Sequence, residues 1–366
     1  MPGRIRGAML EKRKALKYLI IFILVQMLAL VLIVYLFDPF YQYHTPYFGL
    51  KTVLFERETQ VPGSIRTFSY DSILLGSSVV ENCDTEYLDT QLNCQTLKLV
   101  KGSGSTADLL YYLESAHAQQ NLKYVFWGID WHALTTSTEI TVESEYSPSY
   151  LFTGTMLDDF TYVFNKDVLF KKIPLTLAYS LTDTNTGGHA YDWCDDKEFS
   201  AAKAMQDYEK PTVAAPAQDF TTSIPLIQEN IALIVKEIES HPDTEYFIFF
   251  PPYSLLMWDN VYTSGEGEKY FYMLDEIMNA LLPLKNVKVY YFQADTDIIC
   301  NLDNYMDKMH YTPAINQLML ESIVLDNLTG NNKYRVTADN VKEVKQNMSE
   351  AYEYIITEGI YQYYQK

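Results

Sequence analysis

SILLGSSVVEN, residues 72–82, is an apolar run cut off by a glycine and two serines. Its first five residues are nearly continuous in hydrophobicity rather than alternating, the pattern of a strand covered on both faces of a parallel sheet. Four further runs read the same way: QTLKLV at 95–100, YVFWGID at 124–130, YFIFFPP at 246–252 and VKVYYFQ at 287–293. Helix-period stretches lie between them. STADLLYYLESAHAQQ is one, and IPLIQENIALIVKEIES, with apolar residues at 224, 226, 227, 231, 234, 235 and 238, is another. Strand and helix in alternation predict a doubly wound α/β domain. The expected form is a three-layer α/β/α sandwich with a mainly parallel five-stranded sheet and right-handed crossovers.

Toward the N-terminus, YLIIFILVQMLALVLIVYLF at 18–37 contains no charge, Pro or Gly. At about 1.5 Å per residue it reaches roughly 30 Å, a bilayer's hydrocarbon thickness, and is expected to be one transmembrane helix. A cleaved signal peptide is the alternative, but Asp38-Pro39-Phe40-Tyr41 offers no small-x-small cleavage site. Residues 1–17 carry Arg4, Arg6, Lys12, Arg13, Lys14 and Lys17 against Glu11, which predicts a cytoplasmic N-terminus and an extracytoplasmic remainder. Setting those residues aside from the chain's net −19 leaves the exported part at −24. So acidic a domain excludes nucleic acid and anionic lipid as its partners and favours neutral, zwitterionic or cationic ones.

Residues 38–67 read as a linker and 68–330 as the α/β domain, and 331–366 carries an amphipathic helix from near Thr337 that packs on the domain. Within the domain, 135–222 breaks the rhythm with helical pieces and the loop TDTNTGGHAYDWCDD, and is expected to be a helical lid over the carboxyl edge of the sheet. Cys83, Cys94, Cys194 and Cys300 would lie in an oxidising space, where two disulfides in three pairings are open. Four buried free thiols are the more ordinary outcome. No C-x-x-C or His/Cys run has metal-ligand spacing, so no metal and no organic cofactor is expected.

Ligands of a doubly wound sheet bind beyond the carboxyl ends of its strands. There, Gly76-Ser77-Ser78 can expose a serine hydroxyl beside backbone N–H groups able to hold an oxyanion, or the serines can simply form and cap the turn. Lys101-Gly102-Ser103-Gly104-Ser105-Thr106 brings small residues to a helix start, without the spacing of a nucleotide-binding loop. Asp307 and His310, three apart in a turn, set a carboxylate against one ring nitrogen and leave the other free to take a proton from a hydroxyl. Thr312 as cap and Pro313 as first helical residue keep His310 on a loop.

This order of serine, aspartate and histidine, spread over 68–330, resembles the SGNH (GDSL-like) hydrolase superfamily. The resemblance implies Ser78 as nucleophile, His310 as base and Asp307 as its orienting acid. It also implies an oxyanion hole from the N–H groups of Ser78 and Gly104, with Gly102 as the other candidate. The chain departs from the family twice. Ser77 stands where the family has aspartate, and Gly128-Ile129-Asp130-Trp131 puts Asp130 where a donating asparagine is usual. An ionised Asp130 cannot donate to an oxyanion, and Asn82 is a candidate to replace it.

Membrane-anchored members with this layout resemble exported proteins that move or remove acyl groups on bacterial surface polymers, in teichoic acid D-alanylation and exopolysaccharide acetylation. The implied function is a serine esterase or O-acyltransferase, with a cell-surface glycan or teichoic-type polymer as substrate and a membrane-bound O-acyltransferase as partner. A catalytically silent domain serving as that enzyme's assembly partner is the alternative. The block Gly76 to Asn82, together with Phe250-Pro251-Pro252-Tyr253-Ser254, is similar to a group of bacterial proteins. Tyr253 and Trp258 are candidates to stack on a sugar ring, although aromatic residues near a strand end are more often core. Trp193-Cys194-Asp195-Asp196 reads as a solvated lid loop. His132 reads as structural, and His44, His117, His189 and His241 have no partner in sequence.

Overall fold

The structure is a computed structural model that describes residues 2–141, 149–153, 155–209, 214–330 and 332–364. Five parallel strands, β1 (Ser72–Gly76), β2 (Thr96–Val100), β3 (Tyr124–Gly128), β4 (Glu245–Phe250) and β5 (Val287–Tyr291), form a sheet in the order β2-β1-β3-β4-β5. A sixth, β6 (Arg335–Val336), adds antiparallel to β5 through Val289 and Tyr290, so the sheet has six strands where five are expected from sequence. Two residues are too few to carry a periodic signal, which is why β6 escapes the pattern. The continuous hydrophobicity of the others has its physical cause in burial: Ile73, Leu74 and Leu75 in β1, and Phe247, Ile248, Phe249 and Phe250 in β4, are fully enclosed.

The helices that matter here are α1 (Pro2–Phe37), α2 (Arg57–Thr67), α3 (Thr85–Leu92), α4 (Thr106–His117), α5 (Ile224–Ser240), α6 (Gly267–Leu281), α7 (Pro313–Thr329) and α8 (Val341–Tyr354). The α5 helix touches both α4 and α6, while α3 touches α7. Right-handed crossovers from β1 out to β2 and back to β3 put these two groups on opposite faces of the sheet. The strand order reverses at β1, so the loop after Gly76 opens at the topological switch point. Gly76 and Gly128 leave the space that the Val80 side chain fills beneath that loop, where an added Cβ would stand 2.7 Å and 2.5 Å from Val80 carbons.

From Met9 to Phe37, α1 is long and apolar enough to cross a membrane, and apolar side chains from Leu16 to Leu32 are exposed along it. Its C-terminal end is anchored instead. Val34 and Phe40 join Leu151, Tyr162, Val163, Val168 and Ile173 in a small second core, and Asp38 accepts from the N–H groups of Gln42, Tyr43 and His44 and from the Tyr162 hydroxyl. The described parts of 135–222 therefore do two things. Leu151 and residues 162–173 brace the end of α1, and Thr141 and the stretch around 187–209 reach the carboxyl edge of the sheet. Residues 142–148, 154 and 210–213 of the expected lid lie outside the described residues. The C-terminal helix starts at Val341, after a turn in which the Thr337 N–H donates to Asn340 Oδ1, and buries Met348 and Ala351. All four cysteines are free thiols; Cys83 and Cys94 are buried, but Cys194 and Cys300 are only partly so.

Candidate active site

The chain leaves β1 through Ser77, whose side chain accepts from the Val79 N–H, and then makes one tight turn over Ser78–Val80. That turn lifts Ser78, half-buried, to the sheet edge. Its Oγ lies 2.9 Å from Nε2 of His310, 232 residues away. His310 Nδ1 lies 2.8 Å from Asp307 Oδ2, and Asp307 Oδ1 accepts from the N–H groups of Met309 at 2.7 Å and His310 at 2.8 Å. An ionised carboxylate only accepts, so Nδ1 carries the ring proton and Nε2 presents its lone pair to the serine hydroxyl. Burial disfavours the charged ring, but the hydrogen bond and charge of Asp307, with Asp130 and Glu81 behind, outweigh it and raise the His310 pKa above 6.5. Burial likewise works against the Asp307 carboxylate, yet the His310 contacts and two backbone donors hold it below 3.8. The constellation can pass a proton from hydroxyl to ring and steady the resulting imidazolium.

Two distant segments clamp the histidine loop to the serine turn. Residues 305 and 311 bridge across the loop, and the Met306 N–H donates to the His310 carbonyl at 3.0 Å. From this loop and α7, the Tyr311 hydroxyl and the Asn316 side-chain amide both donate to the Val79 carbonyl, at 2.7 Å and 3.0 Å. The Phe250–Ser254 block holds the other side. Ser254 donates to the Lys308 carbonyl through both Oγ and N–H, and the Tyr305 hydroxyl donates to the Pro252 carbonyl. Tyr253 and Trp258 are not at hand to stack on a sugar: they are 1% and 2% exposed, packed in the core, with Trp258 edge-on to Tyr270 and Tyr352. An amphipathic aromatic just after a strand is drawn inward wherever the core has room for it.

The oxyanion side also differs from the expectation. The Gly104 N–H already closes a turn onto the Lys101 carbonyl at 3.0 Å, and so does not face Ser78. Gly102 sits under the Arg57 guanidinium, where a Cβ would come within 2.5 Å of Nη2. Its strand extends the β1–β2 pairing by one rung, with the Lys101 N–H donating to Gly76, which brings Gly102 level with the serines. Among the described residues, no hydrogen bond engages the Ser78 amide. Asn82 is 7% exposed and is oriented by its Oδ1, which accepts from the Trp193 N–H at 3.0 Å.

Asp130 is buried at the end of β3 and takes hydrogen bonds from the Tyr253 hydroxyl and Ser77. Burial raises its pKa, against the opposing pull of those two donors and of His310 and His132. His132 itself is exposed and bonds Thr136 within its own turn.

Trp193 is the residue that sequence reasoning missed. Rather than lying in a solvated loop, its indole N–H donates to the Ser78 carbonyl at 3.1 Å and its ring meets His310 edge to face at 5.3 Å. The only signal was a tryptophan in an otherwise polar loop, too large an apolar group to leave in water without a partner. Beside His310 a cleft of about 510 Å³ opens, lined by Lys203, Tyr208, Asn260, Met306 and Met309.

No family model and no curated protein matches the chain. A solved structure from Streptococcus pneumonia, named for platelet activating factor, is similar over 74% of this chain and 90% of its own, at 11% identity and a TM-score of 0.39. Likeness at that level carries no argument about this chain, and the functional reading rests on the site alone.

Proposed function

We propose that the chain is an SGNH-type serine esterase or O-acyltransferase, tethered by α1 with its N-terminus in the cytoplasm, acting on an acylated cell-surface glycan or teichoic-type polymer. The observation that carries this reading is the line of contacts from Ser78 Oγ to His310 Nε2 at 2.9 Å and from His310 Nδ1 to Asp307 Oδ2 at 2.8 Å. In the first half-reaction, Ser78 Oγ bonds to the ester carbonyl carbon while its proton moves to His310 Nε2. The imidazolium returns that proton to the departing alkoxide, leaving an acyl-serine and a free hydroxyl. Water or an acceptor hydroxyl, deprotonated by His310, then bonds to the acyl carbon, and as the bond to Ser78 Oγ breaks the imidazolium returns the proton to that oxygen. The Ser78 amide and, in place of Gly104, the Gly102 amide would hold the oxyanion. A membrane-bound O-acyltransferase would be the source or the recipient of the acyl group.

A second reading, a silent SGNH-like domain that serves as an assembly partner, is favoured by one observation: the donor position of the family's asparagine is held by Asp130, which accepts rather than donates. Fluorophosphonate labelling of the detergent-solubilised full chain separates the two. Catalysis requires one adduct, on Ser78, that disappears in Ser78→Ala and falls at least a hundredfold in His310→Ala. Absence of any wild-type adduct selects the silent domain.

A further inference from the structure

At the other end of the sheet, three chemistry-bearing side chains meet without satisfying one another. His117 ends α4, Glu237 lies in the last turn of α5 and His241 follows that helix directly. Glu237 Oε1 is 3.6 Å from His117 Nε2 and 3.4 Å from His241 Nε2, too far for good hydrogen bonds. The two rings lie face to face, with centroids 3.5 Å apart and planes within 5°. Glu237 is 5% exposed, and its Oε1 is buried with no hydrogen-bond partner. A buried carboxylate oxygen facing two imidazole nitrogens with no hydrogen-bond partner is poorly stabilised as it stands, and a cation between the three would satisfy it.

We propose that His117, Glu237 and His241 form a structural site for a divalent transition-metal ion of the zinc class, which ties α4 to α5. The donor set, two imidazoles and one carboxylate, is the borderline nitrogen and oxygen chemistry that such ions prefer over calcium or magnesium. All three donor atoms already lie within 4.8 Å of one another. Bonds of about 2.0–2.2 Å to a shared centre require only that the carboxylate advance and the stacked rings splay about their side-chain torsions. Glu237 and His241, four residues apart, share one helical face, and His117 comes from the neighbouring helix, so the ion would bridge two elements. The surroundings favour a cation. Glu114 of α4 acts on both Glu237 and His241, whereas the opposing positive charge, Lys236, acts on Glu237. The Tyr246 hydroxyl, 3.3 Å from His117 Nε2, is placed to turn to the carboxylate as an outer partner. His241 is 31% exposed on its side chain and provides the way in.

The site sits at the amino ends of β3 and β4, whereas Ser78 stands beyond the carboxyl end of β1, so its role is to brace the fold and not to assist at the serine. The test uses the full chain in detergent, stripped with chelator and titrated with zinc alone. The expected result is one equivalent bound, a rise of several degrees in Tm, and affinity at least tenfold weaker in Glu237→Gln and in His241→Ala. Cobalt(II) in place of zinc should give a visible absorption spectrum that the Glu237→Gln chain does not reproduce. Fluorophosphonate labelling of Ser78 serves as the independent readout and should survive chelation. No bound equivalent in the wild type, or the same affinity and Tm rise in Glu237→Gln, overturns the proposal.

Discussion

The two ends of the sheet carry the same residue types in opposite states. At the carboxyl end, Asp307 and His310 are joined at 2.8 Å, and the pairing raises the affinity of the ring for a proton. At the amino end, burial and the neighbouring His241 push His117 down to about 4, and Glu237 stands off both rings by more than 3.3 Å. The difference lies in what surrounds each carboxylate. Asp307 is fed by two backbone N–H groups of its own turn, which hold it as an anion beside the ring. Glu237 projects from a helix whose N–H groups are consumed internally, so it meets its histidines with no donor of its own. A loop can give its backbone N–H groups to a side chain; the last turn of a helix cannot. That is a physical reason for acid–base pairs to sit on loops at the edge of a rigid sheet.

The sharpest way to break this contrast is Asp307→Asn. It preserves the shape but leaves an amide that can bind the wrong ring tautomer, and kcat should fall about a hundredfold or more in an acetyl-ester assay, with stability little changed. The pH profile carries the same information. The neutral ring is the base, so wild-type kcat/KM should climb as His310 loses its proton, with a midpoint above 6.5 that moves down in the variant. By linkage, the paired histidine adds stability that is present below pH 6.5 and fades as pH rises through its raised folded value.

Asp130→Asn should act in the other direction. An asparagine there can still accept from Tyr253 while offering an N–H toward the serine, so kcat should rise about tenfold, because one added oxyanion donor is worth that much or more. An unchanged kcat would mean that the amide does not reach the oxyanion, and a lower one that Asp130 is needed as an acid. The smallest effect is expected of Trp193→Phe, which deletes the N–H bond to Ser78 and keeps most of the ring against His310; KM should rise a few fold with kcat nearly unchanged.

The central strands were legible because both their faces are covered, which forces a continuous apolar run, and Asp307 with His310 because their chemistry is completed within one turn. Elements without that local signature were not. β6 is two residues long, and the Gly104 amide is spent on a turn that no motif reveals. Tyr253 and Trp258 could be read as sugar-stacking residues, although aromatics near a strand end are more often core, and packing buried them. Trp193, 115 residues from the carbonyl it holds, has no periodicity to announce it. His117 lies on a different helix from Glu237 and His241, so three residues that meet in space are scattered in the chain.

By itself, then, the sequence determined which segments are the five parallel strands, that the N-terminal helix is apolar enough for a membrane, and that one histidine has an acid within its own turn. Those properties depend on composition and on neighbours a few residues away. Only the tertiary structure decided that His310 faces Ser78, that the Phe250–Ser254 block clamps the histidine loop, and that three residues converge at the amino end. Each of these depends on strand order and helix packing, which bring together groups separated by more than fifty residues.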